Sequence, residues 1–142
     1  MTAANHTIRR SAAVSTGVVA ASVGLAASAI AGSHSPVYTH KDSGRTVRLA
    51  VGTVFTVKLR TCSDCGDSWH WVHRPKHHVV KLLSKRIVTH VKPPAVGGIA
   101  HTVYRFKVVG VGRTREVLVE TGPSGNAISH FRLTEAPGSG YL

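Results

Sequence analysis

Cys62-Ser63-Asp64-Cys65 holds both cysteines of the 142-residue chain, and His70 and His73 follow shortly after. The pattern C-x2-C-x4-H-x2-H offers four soft or borderline donors of the kind that hold zinc or copper. Trp69-His70-Trp71, however, alternates aromatic with polar and runs toward Pro75, which reads as a strand. Two histidines an odd number of residues apart on a strand point to opposite faces, so they cannot close one tetrahedron with the thiols. A redox CxxC needs a helix starting at the pair in a βαβ setting. Here Gly66-Asp67 and a strand follow instead. Thiols exported from a cell oxidise, so the preferred reading is a short structural disulfide between Cys62 and Cys65. On the chain-entropy model a loop that small contributes about 2 kcal/mol, and its main effect is to hold a tight turn. The histidine run His70, His73, His77 and His78 reads as a solvated basic rim, with loose metal binding or a pH-dependent change of charge as the other reading. No metal and no cofactor is expected.

Nucleophile motifs fail on their neighbours. Gly66-Asp67-Ser68 has the order of the chymotrypsin-type nucleophile turn, but Trp69 and His70 stand where that turn has glycines. Cys65-Gly66-Asp67-Ser68-Trp69 is similar to the signature around a papain-type nucleophile, yet Ser68 occupies the nucleophile's position. Six acidic residues in the whole chain leave few groups for acid–base work. Gly97-Gly98 and Gly110-Val111-Gly112 fall at strand ends with no helix behind them, so neither is a phosphate loop. An enzyme is not expected.

The elements that must position these residues repeat with period two. Phe55, Val57 and Leu59 alternate with Thr56, Lys58 and Arg60. Tyr104, Phe106 and Val108 alternate with Arg105 and Lys107. Val117 and Val119 alternate with Glu116, Leu118 and Glu120 in the same way, and Phe131 and Leu133 with His130, Arg132 and Thr134. Each is a strand with one buried face. Turn signals separate them: Gly52, Cys62 to Ser68, Pro93-Pro94, Gly97-Gly98, Gly110 to Gly112 and Gly122 to Asn126. Val79 to Val88 fits an amphipathic helix through Val79, Val80, Leu83 and Ile87, or two strands broken at Ser84-Lys85. The β-rich context favours strands. Many short strands at this spacing predict an all-β fold, an antiparallel sandwich or barrel.

Residues 1–31 read as a signal peptide. Arg9-Arg10 precedes an uncharged stretch rich in Ala, Val, Gly and Ser, and small residues close it at Ala27-Ser28-Ala29 and Ala29-Ile30-Ala31. The stretch is too poor in Leu, Ile and Phe for a strong membrane anchor. "IRRSAAV" lacks the large apolar residue expected after a twin-arginine pair, so the Sec route is preferred. The expected protein is secreted, with no membrane contact after cleavage. Residues 32–45, polar and broken by Pro36 and Gly44, read as a flexible lead. Residues 46–136 form the domain, which can build one modest core, and 137–142 a tail. The formal charge of +12 falls to about +10 without Arg9 and Arg10. Such a surface attracts anionic partners without sequence-specific recognition.

The order of motifs resembles the chagasin family of secreted inhibitors of papain-like cysteine peptidases. Gly52-Thr53-Val54-Phe55-Thr56-Val57-Lys58-Leu59 leads into a tight polar loop that ends in Gly66 and Trp69. Ala95-Val96-Gly97-Gly98 follows, then Tyr104-Arg105-Phe106-Lys107-Val108-Val109-Gly110-Val111-Gly112, then a Pro-containing loop. The likeness runs from Thr46 to Thr134. It implies an immunoglobulin-like antiparallel β-sandwich whose three end loops wedge into a peptidase cleft. The first loop maps onto Cys62, Ser63, Asp64, Cys65, Gly66, Asp67, Ser68 and Trp69, and keeps the family's Gly66 and Trp69. The second maps onto Ala95, Val96, Gly97 and Gly98, with Ala95 in place of a glycine. The third maps onto Gly122, Pro123 and Ser124, which keep the proline but neither the arginine nor the aromatic around it. The implied partner is a papain-like cysteine peptidase, bound by a monomer without covalent chemistry. The alternative reading is a secreted basic module for anionic polymers or cell-wall components, with no specific nucleic acid.

Overall fold

The computed structural model describes residues 34–90 and 99–136. Eight strands alternate along the chain with turns and two 3-10 segments, and among the described residues there is no α-helix. One sheet is ordered β1 (Val37–Tyr38), β3 (Val54–Thr61), β6 (Ala100–Val108), β5 (Val80–Thr89). The other is ordered β2 (Thr46–Val47), β8 (Ala127–Glu135), β7 (Thr114–Thr121), β4 (Ser68–His73). The long strands pair antiparallel, whereas the two-residue β1 and β2 add to β3 and β8 in parallel.

The period-two faces close on one another. Phe55, Val57 and Leu59 of β3 and Tyr104, Phe106 and Val108 of β6 are fully buried. Phe131, Leu133, Leu118 and Trp69 answer from the second sheet. Trp71 bridges the layers, edge-on to Tyr104 at 5.4 Å and to Phe106 at 6.2 Å between ring centroids. Each such aromatic removes enough apolar surface from water to contribute about 1.5–3 kcal/mol.

Three expectations change. Val79 to Val88 is neither a helix nor two strands. From Val80 on it is the single strand β5, whose register against β6 slips between Leu82 and Ser84. That bulge absorbs the misfit that looks like a break in the sequence. The second change is the phase of β7. Register places Leu118 opposite Phe131 and Glu116 opposite Leu133, so the stronger apolar face of β8 decides which side of β7 turns inward. Glu116 and Glu120 are thereby buried beside Leu118, while Val119 is only half-buried. The third concerns the lead, whose last residues join the sandwich. Val37 and Tyr38 pair with Thr56 and Val57. Behind them His40–Asp42 forms a 3-10 turn. The Thr39 backbone N–H donates to the Asp42 carboxylate at 2.9 Å, and Arg45 pairs with it. Those contacts hold the Asp42 carboxyl below its usual range. Polar composition suggests looseness, but these polar groups satisfy one another.

Candidate functional site

Strand register defines the two ends of the sandwich. At one end Thr61 lies opposite Ala100, and Ala100 opposite Thr89. In the second sheet Ser68 lies opposite Thr121, and Thr121 opposite Ala127. The β3–β4, β5–β6 and β7–β8 connections therefore all leave the same pole. Ala95, Val96, Gly97 and Gly98 belong to the β5–β6 connection and lie outside the described residues.

The β3–β4 loop is tightly built. Cys62 and Cys65 are joined in a disulfide, and Ser63–Cys65 forms a 3-10 turn. The Cys62 carbonyl accepts from the backbone N–H of both Cys65 and Asp67, each at 3.1 Å. Gly66 closes the turn at φ 81°, in the left-handed region where a side chain is strained. A Cβ there would also lie 3.3 Å from Pro123 Cγ. Glycine at this position thus serves both the turn and the close approach of the β7–β8 loop.

That second loop is a compact turn. Gly122 donates to the Asn126 carbonyl at 3.1 Å and Gly125 to the Gly122 carbonyl at 2.9 Å. A Cβ on Gly122 would come within 3.6 Å of Asp67 Oδ1. Cys62 to Ser68 and Gly122 to Ser124 thus stand back to back. Asp64, Cys65, Gly66, Pro123 and Ser124 are exposed, whereas Ser63 and Asp67 are partly covered.

Trp69 anchors the loop from below. It is buried, and its indole N–H donates to the Arg60 carbonyl at 3.1 Å. The His40 ring packs 5.2 Å from it. Glu120, opposite Trp69 in the ladder, is buried under the loop. Burial raises its carboxyl pKa and Asp67 adds to the effect, while the Thr61 hydroxyl and His40 act the other way. His40 and Glu120 were not legible as part of this pole. One lies in a polar lead, the other in a strand whose phase the valines misstate.

Cys62, Cys65 and Asp67 bring possible metal-donor atoms within 4.8 Å of one another, but the two sulfurs are bonded to each other. Neither histidine completes the group. His70 instead exchanges a 2.8 Å hydrogen bond with the Ser68 hydroxyl. His73 lines an open cleft of about 380 Å³ with Lys76, Arg113 and Arg115, past the far end of β4.

No family model matches this sequence, and no curated protein does. The likeness is three-dimensional. The crystal structure of the cysteine protease inhibitor EhICP2 from Entamoeba histolytica superposes with a TM-score of 0.62 at 18% identity, covering 72% of this chain and 95% of that one. The solution structure of amebosin gives 0.54 at 17% identity, over 73% and 98% of the two chains. PbICP-C, solved in complex with falcipain-2, gives 0.53 at 12% identity, over 75% and 92%. The chain has the immunoglobulin-like, two-sheet fold of the chagasin-type cysteine protease inhibitors.

Proposed function

We propose that the protein is a secreted inhibitor of papain-like cysteine peptidases that blocks the active-site cleft with the loops of one pole. The observation that carries this reading is the back-to-back packing of Gly66 against Pro123. It joins two of the three expected wedge loops, in a fold shared with a protein solved in complex with falcipain-2. Residues 1–31 supply the export signal, and Ala95 to Gly98 the remaining wedge loop, the family's second.

The mechanism is steric. The disulfide, the left-handed Gly66 and the Pro123 contact fix the loop before binding, which lowers the ordering cost of association. Asp64, Cys65, Gly66, Pro123 and Ser124 present the contact surface, and no bond forms or breaks. The chain lacks the arginine and aromatic that flank the family's third-loop proline. Such anchors commonly dominate an interface, so without them affinity rests on loop shape.

Titration of active-site-quantified papain with the purified protein tests the proposal. Stoichiometric or sub-micromolar inhibition is the expected result, and binding to papain should be lost when a bulky label on its catalytic cysteine fills the cleft. Full papain activity at tens of micromolar protein would overturn the assignment to papain-like peptidases.

A further inference from the structure

The outer face of the β1-β3-β6-β5 sheet plays no part in the wedge. Residues opposite one another in a ladder share a face, so the register reads this surface row by row. Val54, Lys107 and Lys81 form the first row, and Thr56, Arg105 and Ser84 the second. Lys58, Val103 and Arg86 follow, then Arg60, His101 and Val88. Every row carries at least one basic side chain, and the first sets Lys81 directly against Lys107. Three strands about 4.8 Å apart and seven residues of β3 give an array roughly 10 Å by 20 Å.

No carboxylate occupies an outward position of these four rows. The chain has six acidic residues. Glu116, Glu120 and Glu135 are buried. Asp42 pairs with Arg45, and Asp64 and Asp67 belong to the β3–β4 loop. Like charges placed directly opposite on a sheet are destabilising, and interspersed acids would relieve them. The His101 ring registers the field: burial lowers its pKa, and Lys58, His90 and Arg60 lower it further.

The array also contains a seat. Thr56, Ser84, Arg86, Val103 and Arg105 line an open depression of about 220 Å³ on it. Two guanidinium groups with two hydroxyls beside them suit a sulfate or phosphate group, which arginine can grip with paired N–H donors. No Trp, Tyr or Phe occupies any outward position of the four rows, and the His101 ring there packs edge-on against His90 at 5.3 Å. Base-stacking recognition of single-stranded nucleic acid is therefore absent, as is the aromatic anchor common at protein interfaces.

We propose that the outer face of the β1-β3-β6-β5 sheet binds a linear anionic polysaccharide, with one sulfate or phosphate group seated between Arg86 and Arg105. The remaining bases track the polymer by charge alone. The surface is independent of the peptidase reading and stands whether or not that reading holds.

The test uses the purified protein and a fluorescent heparin octasaccharide, with a DNA duplex of equal total charge and a neutral dextran alongside. Binding is measured at 50 and 200 mM salt. We expect the octasaccharide to bind more tightly than DNA and dextran not to bind. Affinity should fall at least tenfold across that salt range, the behaviour of a contact made through about two or more released counterions. The triple variant Lys81→Gln/Arg86→Gln/Arg105→Gln should lose at least about tenfold. A second triple, Lys76→Gln/Arg113→Gln/Arg115→Gln, removes the same charge from the cleft past the end of β4 and should lose less than threefold. Should the first triple melt earlier than the native protein, Lys58→Gln/Arg60→Gln/Lys107→Gln replaces it on the same face. Equal losses in both triples would reduce the effect to bulk charge and overturn the site. DNA binding as tight as heparin binding would overturn the polysaccharide, and no heparin binding at 50 mM salt would overturn both.

Discussion

Glu116 and Glu135 are buried on the inner face of the second sheet, one rung apart across β7 and β8. Neither carboxylate oxygen of Glu116 has a hydrogen-bond partner. Burial pushes Glu135 up to about 8, its own backbone N–H acting weakly against the shift. Burial, with Glu135 facing it, holds Glu116 well above the carboxylate range. Burial also raises the Tyr104 phenol, and Glu116 reinforces that. Both acids keep protons when folded at pH values where the unfolded chain, with pKa near 4.5, has released them. Stability is thus fully present below about pH 4.5 and declines as pH rises toward about 8, a loss on the order of a few kcal/mol. Asp42 is held low, so its contribution disappears only at more acid pH and leaves this window untouched. Calorimetry should show Tm falling by roughly ten degrees or more between pH 5 and pH 8. Glu116→Gln/Glu135→Gln should flatten that profile and raise Tm at pH 8. A wild-type Tm that rises over the interval would contradict the assignment.

At the scale of elements, the β3–β4 loop links fold to activity most directly. Cys62→Ser/Cys65→Ser should lower stability by about 2 kcal/mol and weaken papain inhibition by roughly tenfold, since the loop must then be ordered on binding. Gly66→Ala meets φ 81° and the Pro123 ring together. It should cost about 1–2 kcal/mol and weaken inhibition with the disulfide intact. Inhibition unchanged in both variants would remove this loop from the interface. Much of this region was legible in sequence. The Phe55, Val57, Leu59 alternation fixed β3, Trp-His-Trp fixed β4, and the cysteines between them fixed a clasped turn. Legibility failed where local pattern and ladder disagree. The valines of β7 suggest one face, but Phe131 and Leu133 of the neighbouring strand impose the other. The bulge at Leu83 presented itself as a break, because a register slip leaves no residue-type signal of its own. The back-to-back contact of Gly66 with Pro123 joins residues 57 positions apart, which no local spacing encodes.

The whole molecule separates its charges. Among the described residues, acidic Asp64 and Asp67 sit at the loop pole with Glu120 beneath them, and a basic array covers the outer face of one sheet. Coulombic steering falls off over about 10 Å at ordinary salt, so the two surfaces answer differently to ionic strength. Inhibition by shape-matched loops should change less than about threefold between 50 and 500 mM salt, while retention on the polysaccharide should vanish over the same interval. The array runs along the strands and the wedge loops leave from their ends, so both surfaces can be occupied together. A papain–inhibitor complex loaded on immobilised heparin at 50 mM salt should therefore be retained and elute intact at high salt, with the peptidase still inhibited. The Lys81→Gln/Arg86→Gln/Arg105→Gln variant should inhibit papain as the native protein does and pass through the heparin. Release of active papain on heparin binding would mean that the surfaces overlap or are negatively coupled. Overlap would place the polyanion near the Arg60–His101 row, the end of the array that borders the loops.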